Sequence, residues 1–163
     1  MCLKAIPWRS VSSWTCLRCG ECCRLIVQLT MREWLNITRN YGYSLVYQGI
    51  DGFFLRRTVD ECCPFLLRGS NGWLCDLQNT KPLTCKMWPF RILTDPRYGD
   101  GDEASFTYRG RKFYIYVTSL CPGIIWGRPT EELIRRILPE FIDVRLGLQR
   151  ERHFSTSRPP FPP

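Results

Sequence analysis

The stretch from Cys16 to Cys23 places four cysteines within eight residues, and it constrains the chain more than any other feature. Its two C-x-x-C steps share Cys19, and a further cysteine follows the second step directly. Sulfurs at this spacing converge on a point instead of lining one face of a helix or strand, which is typical of thiolates that surround a metal ion. Gly20 allows the left-handed backbone that such tight turns favour. The cluster therefore predicts a metal centre.

The cysteine content fits either a disulfide framework or metal ligation, with ten cysteines in 163 residues. Residues 1–10 have no continuous apolar stretch and do not resemble a secretory signal. No run reaches the roughly 18 apolar residues of a membrane span. We therefore expect a cytoplasmic protein without a membrane segment. Because the cytoplasm keeps thiols reduced and adjacent cysteines make poor disulfide partners, metal ligation is favoured over the disulfide alternative.

The net charge of +8 has two interpretations. An anionic partner, RNA or DNA, would use an arginine-rich surface. Alternatively, eight thiolates around two divalent zinc ions or two 4Fe–4S clusters would carry a net charge of about −4. Half of the positive excess would then neutralise this charge. The sequence has no evident basic cluster with interleaved aromatic residues for reading bases. Both interpretations stay open.

Local patterns predict an α+β fold: a small, irregular, metal-stapled domain with short antiparallel strands, one helix in the N-terminal half and a C-terminal helix. Thr30 and Glu33 match a capping box that begins the first helix, and Gly42 ends it. A second helix begins at Thr130 with an apolar stripe, and Pro139 should kink or divide it. Short strands are expected at 25–29, 65–67, 73–77, 90–93 and 112–117 and near Phe106.

The chain is about one domain long, and we divide it into four segments. Residues 1–15 form an N-terminal lead, and residues 16–125 form the cysteine-cluster domain. Residues 126–150 are expected to form the C-terminal helix packed on that domain. Residues 151–163 are rich in proline and polar side chains without periodicity, which predicts a disordered tail.

The cysteine stations continue beyond the first cluster in a fixed order. The motifs are C-x-x-C-G-x-C-C, Cys63-Pro64-Phe65-Leu66, Cys75 on a short strand, Lys81-Pro82-Leu83-Thr84-Cys85 with a following Trp88-Pro89-Phe90, and Cys121-Pro122-Gly123. This order, over about residues 16–125, resembles the YkgJ-type cysteine-cluster family, whose members are described as chelating zinc or iron. The resemblance implies a metal site built from Cys16, Cys19, Cys22, Cys23, Cys63, Cys75, Cys85 and Cys121. Lys81 stands where the family usually has arginine, and Cys62 lies outside the pattern.

The choice of metal stays open between zinc and iron. The Cys-x-x-Cys-Gly turn favours zinc, whereas an all-cysteine ligand set with Cys-Pro at Cys63 and Cys121 favours an iron–sulfur centre such as 4Fe–4S. In either case we expect the metal to organise the fold.

Three functions follow from these observations. The first is a metal-binding protein whose eight-cysteine cluster mainly organises the fold. The second is an accessory module that binds RNA or a ribonucleoprotein through a basic surface. The third, protein-lysine N-methyltransferase, rests on a resemblance to flagellin lysine-N-methylases, and the sequence has no glycine-rich nucleotide loop to support it. No catalytic constellation is evident, since the single histidine, His153, lies in the predicted tail.

Overall fold

The computed structural model describes residues 5–70, 72–148 and 153–156. The chain forms two compact units: the first comprises Met1–Leu17 and Met87–Arg158, and the second comprises Arg18–Lys86 and Pro159–Pro163. The four segments expected from the sequence are defined by motifs, whereas these two units are defined by contacts between residues. Within the described ranges, no helix has the length and apolar character needed to cross a membrane.

The described residues form short strands and short helices in alternation. The strands are β1 (Ala5–Pro7), β2 (Val11–Trp14), β3 (Gln28–Leu29), β4 (Val46–Gly49), β5 (Gly52–Leu55), β6 (Leu66–Gly69), β7 (Gly72–Cys75), β8 (Phe90–Leu93), β9 (Ser105–Tyr108), β10 (Arg111–Thr118) and β11 (Ile124–Trp126). The α-helices are α1 (Met31–Tyr41), α2 (Leu83–Met87), α3 (Gly101–Ala104) and α4 (Leu138–Leu146). Single 3-10 turns occupy Trp8–Ser10, Glu21–Arg24 and Tyr43–Leu45, and a π-helical segment occupies Leu133–Ile137. The strand pairings are antiparallel, which confirms the mixed class with short antiparallel strands and a C-terminal helix.

The first unit is built around β10, which pairs with β1, β8 and β9 in one antiparallel sheet, while β11 pairs with β2. Its core contains three aromatic rings in mutual edge contact. The ring of Trp14 lies 5.9 Å from Phe90 and 5.3 Å from Phe141, and the two phenylalanines are 4.7 Å apart between centroids. This cluster joins β2, β8 and α4, so residues from both ends of the sequence share one core.

The C-terminal helical segment begins where the sequence predicts. The Thr130 hydroxyl accepts the N–H of Leu133 at 3.3 Å. The π-helical segment Leu133–Ile137 then precedes Pro139, which lies in the first turn of α4. Proline has no N–H to donate and its ring crowds the carbonyl one turn earlier, and a wider π turn relieves that crowding. Pro139 therefore separates a π part from an α part.

Glu140 of α4 has a buried carboxylate that binds the backbone of residues 153–155. Its oxygens accept backbone N–H groups from His153 at 3.0 Å, Phe154 at 3.0 Å and Ser155 at 2.7 Å. Residues 153–156 thus dock on α4, although they belong to the predicted disordered tail. Residues 151–152 and 157–163 of that tail lie outside the described residues.

Replacing Glu140 by alanine should destabilise the first unit. The substitution leaves three backbone N–H groups without their acceptor, so we expect a loss of about 1–3 kcal/mol in the free energy of unfolding. Urea denaturation followed by tryptophan fluorescence measures it. Glu132→Ala is the matched control, because Glu132 makes an exposed ion pair with Arg136 that is worth about 0.5 kcal/mol or less. Equal losses in the two variants would contradict this role of Glu140.

The second unit begins its helix α1 with the predicted capping box. The Glu33 N–H donates to the Thr30 hydroxyl at 3.2 Å, and the Thr30 N–H donates to the Glu33 carboxylate at 2.8 Å. Gly42 ends the helix with a positive φ of 101°. Helix α1 packs on a three-stranded sheet in the order β3-β5-β4, and β6 and β7 form a separate hairpin.

The core of the second unit is apolar and includes sulfur at its margin. Its buried side chains are Val27, Leu29, Ile37, Val46, Leu55, Phe65 and Leu77. Three half-buried cysteines, Cys63, Cys75 and Cys85, pack against this core. Thiols that lie far apart in the sequence therefore come to one side of a single hydrophobic cluster.

Candidate metal centre

The turn that carries the first thiols is shaped by a close approach to the β6–β7 hairpin. Cys22 and Cys23 lie in the 3-10 turn Glu21–Arg24, and Gly20 precedes it in the left-handed conformation with φ 79°. A Cβ atom at residue 20 would lie 3.1 Å from Cδ1 of Trp73, so the indole can cover the turn only because that residue is glycine. The left-handed turn predicted at Gly20 is confirmed.

Backbone hydrogen bonds tie this turn to two other cysteine-bearing segments. The Cys63 N–H donates to the Cys23 carbonyl at 2.8 Å, and the Trp73 N–H donates to the Arg18 carbonyl at 3.0 Å. The hairpin pairing sets Cys75 opposite Leu66, three residues after Cys63. The main chain therefore holds these cysteines near one another.

Cys85 reaches the same unit on the short helix α2, which is anchored by α1 and β3. One oxygen of Glu33 completes the capping box, and the other accepts the N–H of Leu83, the first residue of α2, at 2.7 Å. The Thr84 hydroxyl donates to the Gln28 carbonyl at 2.9 Å. Glu33 therefore caps two helices at once and positions Cys85, a role that the sequence pattern alone did not reveal.

Side-chain hydrogen bonds link three thiols in a row, from Cys22 through Cys23 to Cys63. The bond with Cys23 lowers the pKa of Cys22 to about 7 and also lowers the pKa of Cys63, although burial opposes both changes. Hydrogen bonds with Cys22 and with Cys63 raise the pKa of Cys23. The network therefore favours the thiol form of Cys23 and the thiolate forms of Cys22 and Cys63.

Two further thiols stand near this network in a less polar setting. Burial raises the pKa of Cys75 and of Cys85. Negative charge on Cys22 and Cys63 also raises the pKa of both groups, because like charges repel. These interactions place Cys22, Cys63, Cys75 and Cys85 within electrostatic reach of one another, so a full set of thiolates there needs a compensating cation.

Lys81 supplies one positive charge inside this group. Its side chain is only 8% exposed, which is unusual for lysine. Hydrogen bonding and burial have the largest effects on the thiols. The positive charge of Lys81 has a further effect: it lowers the pKa of Cys22, Cys63, Cys75 and Cys85. The sequence marks Lys81 only by its place before Cys85, since its burial depends on segments distant in the chain.

The other three predicted ligands have different surroundings. Cys121 is buried in the first unit, where its sulfur accepts the indole N–H of Trp14 at 3.4 Å. Cys16 is half-buried and also belongs to the first unit, and Cys19 is exposed in the second. Cys62 donates its thiol to the Asp60 carbonyl at 3.4 Å and does not join the network. The structure thus brings together five of the eight predicted ligands within one unit.

The thiols suit a metal ion in their chemistry but not in their present geometry. Across residues 5–70, 72–148 and 153–156, no group of three or more Cys, His, Asp or Glu side chains has the geometry to hold a metal ion as it stands. The chemistry of the donors does fit, because thiolates favour zinc and iron. Binding therefore requires loss of protons and movement of the side chains.

A small α+β unit in which thiols from several segments meet beside one apolar core is a cysteine-cluster domain. Residues 15–122 match the CxxCxxCC family, which is described as "Putative zinc- or iron-chelating domain", and the chain belongs to this family. This finding confirms the resemblance seen in the order of the cysteines. No curated protein and no solved structure matches the chain.

Substituting Lys81 should change the reactivity of the thiols in reduced, metal-free protein. Lys81→Met removes a positive charge that favours thiolates, so we expect the pKa values of the neighbouring cysteines to rise. Because the thiolate is the reactive form, alkylation by iodoacetamide at pH 7.5 should slow several-fold, and its pH profile should move to higher pH. Mass spectrometry of time points resolves the modified cysteines.

Lys86→Met is the matched control for this experiment, because it removes the same charge from the residue after Cys85. Lys81→Arg keeps the charge at the buried position. An unchanged profile in Lys81→Met, or an equal shift in Lys86→Met, would contradict the assigned role of Lys81.

Proposed function

We propose that this chain binds zinc or iron through the thiolates of its second unit. The observation that carries the proposal is the hydrogen-bonded row of Cys22, Cys23 and Cys63 next to two desolvated thiols. Buried polar groups of this kind need partners, and five sulfurs with one buried lysine lack sufficient positive charge when ionised. A thiophilic cation supplies that charge. Membership of a family described as zinc- or iron-chelating supports the same chemistry.

The proposed ligands are the thiols that the second unit brings together. Cys63, Cys75 and Cys85, with either Cys22 or Cys23, make the proposed four-thiolate set, one thiol from each of four segments, and the fifth sulfur lies beside it. Four thiolates suit either tetrahedral zinc or a 4Fe–4S centre. Cys16, Cys19 and Cys121 remain predicted ligands outside this four-thiolate set.

The bound ion would contribute crosslinking and charge neutralisation. The thiols come from the turn after Gly20, the segment before β6, the end of β7, and helix α2. An ion held by all four segments would join parts of the chain that are otherwise connected by a few hydrogen bonds. Structural zinc sites contribute on the order of 10 kcal/mol, so the proposed site would organise this unit, and its role is structural.

Substitution of Cys63 tests the proposal directly. Protein purified without oxygen should contain about one zinc ion or one iron–sulfur centre per ligand set. Cys63→Ser should lower the bound metal several-fold, because it replaces one of the proposed thiolate ligands with a hydroxyl, which zinc and iron bind less well. Elemental analysis gives the metal content, and a broad absorption band near 400 nm separates an iron–sulfur centre from colourless zinc.

The neighbouring residue provides a matched control. Cys62→Ser changes a thiol that bonds Asp60, and it should leave the metal content unchanged. Metal-free wild-type protein from anaerobic purification with intact thiols, or equal metal loss in Cys62→Ser and Cys63→Ser, would contradict the proposed site.

A further inference from the structure

The sheet β3-β5-β4 has an outer face that the metal site does not use. Its inner face is apolar and buried, with Leu29, Val46 and Leu55 in the core. Side chains alternate between the two faces of a strand, so the neighbours of these residues point outward. The outer residues are Gln28, Tyr47, Phe54 and Arg56, which we call the aromatic–arginine face.

The register of the sheet places these residues side by side. Phe54 pairs with Gln28 on one side and with Tyr47 on the other. The ladder continues beyond β5, because the Arg56 N–H donates to the Leu45 carbonyl at 2.8 Å, so Arg56 follows Phe54 on the same face. Residues from three separate strands thus form one continuous surface.

The two aromatic rings of this face lie nearly parallel. The centroids of Tyr47 and Phe54 are 5.4 Å apart with an interplanar angle of 23°. A Cβ atom at Gly49 would lie 3.0 Å from Cε2 of Phe54, so the phenylalanine ring lies next to the glycine. The Arg56 guanidinium carbon lies 5.7 Å from the Tyr47 ring centroid. Tyr47 is 38% exposed, which leaves aromatic surface open to solvent beside a positive charge.

The charge beside this face is positive. Arg24 precedes β3, and Arg56 and Arg57 follow β5, whereas Asp51 in the turn between β4 and β5 is acidic. The charged residues of α1 lie on the helix that packs against the inner face. Arg57 donates to the Arg24 carbonyl at 3.2 Å, which keeps a second guanidinium beside the sheet. A partner of this face should therefore be anionic and present flat apolar groups.

We propose that the aromatic–arginine face binds single-stranded nucleic acid. Unpaired bases would stack on Tyr47 and Phe54, and Arg56 would contact the phosphates. A base offers a flat π surface next to a phosphate, which matches rings and guanidinium groups arranged side by side. Acidic protein segments match the charge but lack regular flat groups at this spacing. This binding activity is separate from metal ligation, because none of these side chains is a cysteine.

The experiment uses the full chain, purified without oxygen, with its metal content recorded. Fluorescence anisotropy measures binding of fluorescein-labelled 12-nucleotide single strands of RNA and of DNA, and of the same DNA as a blunt duplex. We expect single strands of either kind to bind at least about tenfold more tightly than the duplex, because stacking needs unpaired bases. Tyr47→Thr and Phe54→Leu should each weaken binding about tenfold, and Tyr47→Phe should bind like wild type.

Matched substitutions separate stacking from general charge and from misfolding. Tyr43→Thr removes a ring that is 71% exposed in the same unit, and Arg39→Ala is the charge control for Arg56→Ala. Both controls should bind within about twofold of wild type if the face is specific. Near-ultraviolet circular dichroism and metal content confirm that the variants fold. Absence of single-strand binding at 50 mM salt, equal binding of the duplex, or equal losses in the control variants would overturn the proposal.

Discussion

Five sulfurs held beside an apolar core create the electrostatic constraint on which the second unit depends. Ionised thiols repel one another, and burial penalises each charge, so the group must keep its protons or acquire cations. The protein meets this constraint in part: hydrogen bonds link Cys23 to Cys22 and Cys63, and Lys81 brings a buried positive charge. A metal ion would complete the neutralisation. The same reasoning explains why the basic excess of the sequence does not by itself identify a binding partner.

Hydrogen bonds that involve no sulfur hold the cysteine-bearing segments in place. The Cys63–Cys23 backbone bond and the two helix caps made by Glu33 fix the segments that carry the cysteines. Trp73 covers the Gly20 turn from the hairpin. Preorganised segments lose less conformational entropy when a ligand binds. A bound metal would add crosslinks between segments that these bonds already align.

Features encoded by neighbouring residues could be predicted from the sequence, and features made by distant segments could not. Two such features are the capping box of Thr30 and Glu33 and the left-handed turn at Gly20. Each depends on a few adjacent residues, so its pattern can be recognised in the sequence. The pairing of Ala5 with Thr118 depends on tertiary packing that no local pattern carries. The burial of Lys81 has the same origin. The aromatic–arginine face becomes visible only when strand register is known, which is why no basic aromatic cluster stands out in the sequence.

X-ray absorption at the zinc and iron edges of protein purified without oxygen tests the central claim most directly, because it reports the atoms bound to the metal. The account predicts a first shell dominated by sulfur, with zinc–sulfur distances of about 2.3 Å if the metal is zinc. A first shell of nitrogen or oxygen alone would contradict it, and so would protein with reduced thiols and neither metal.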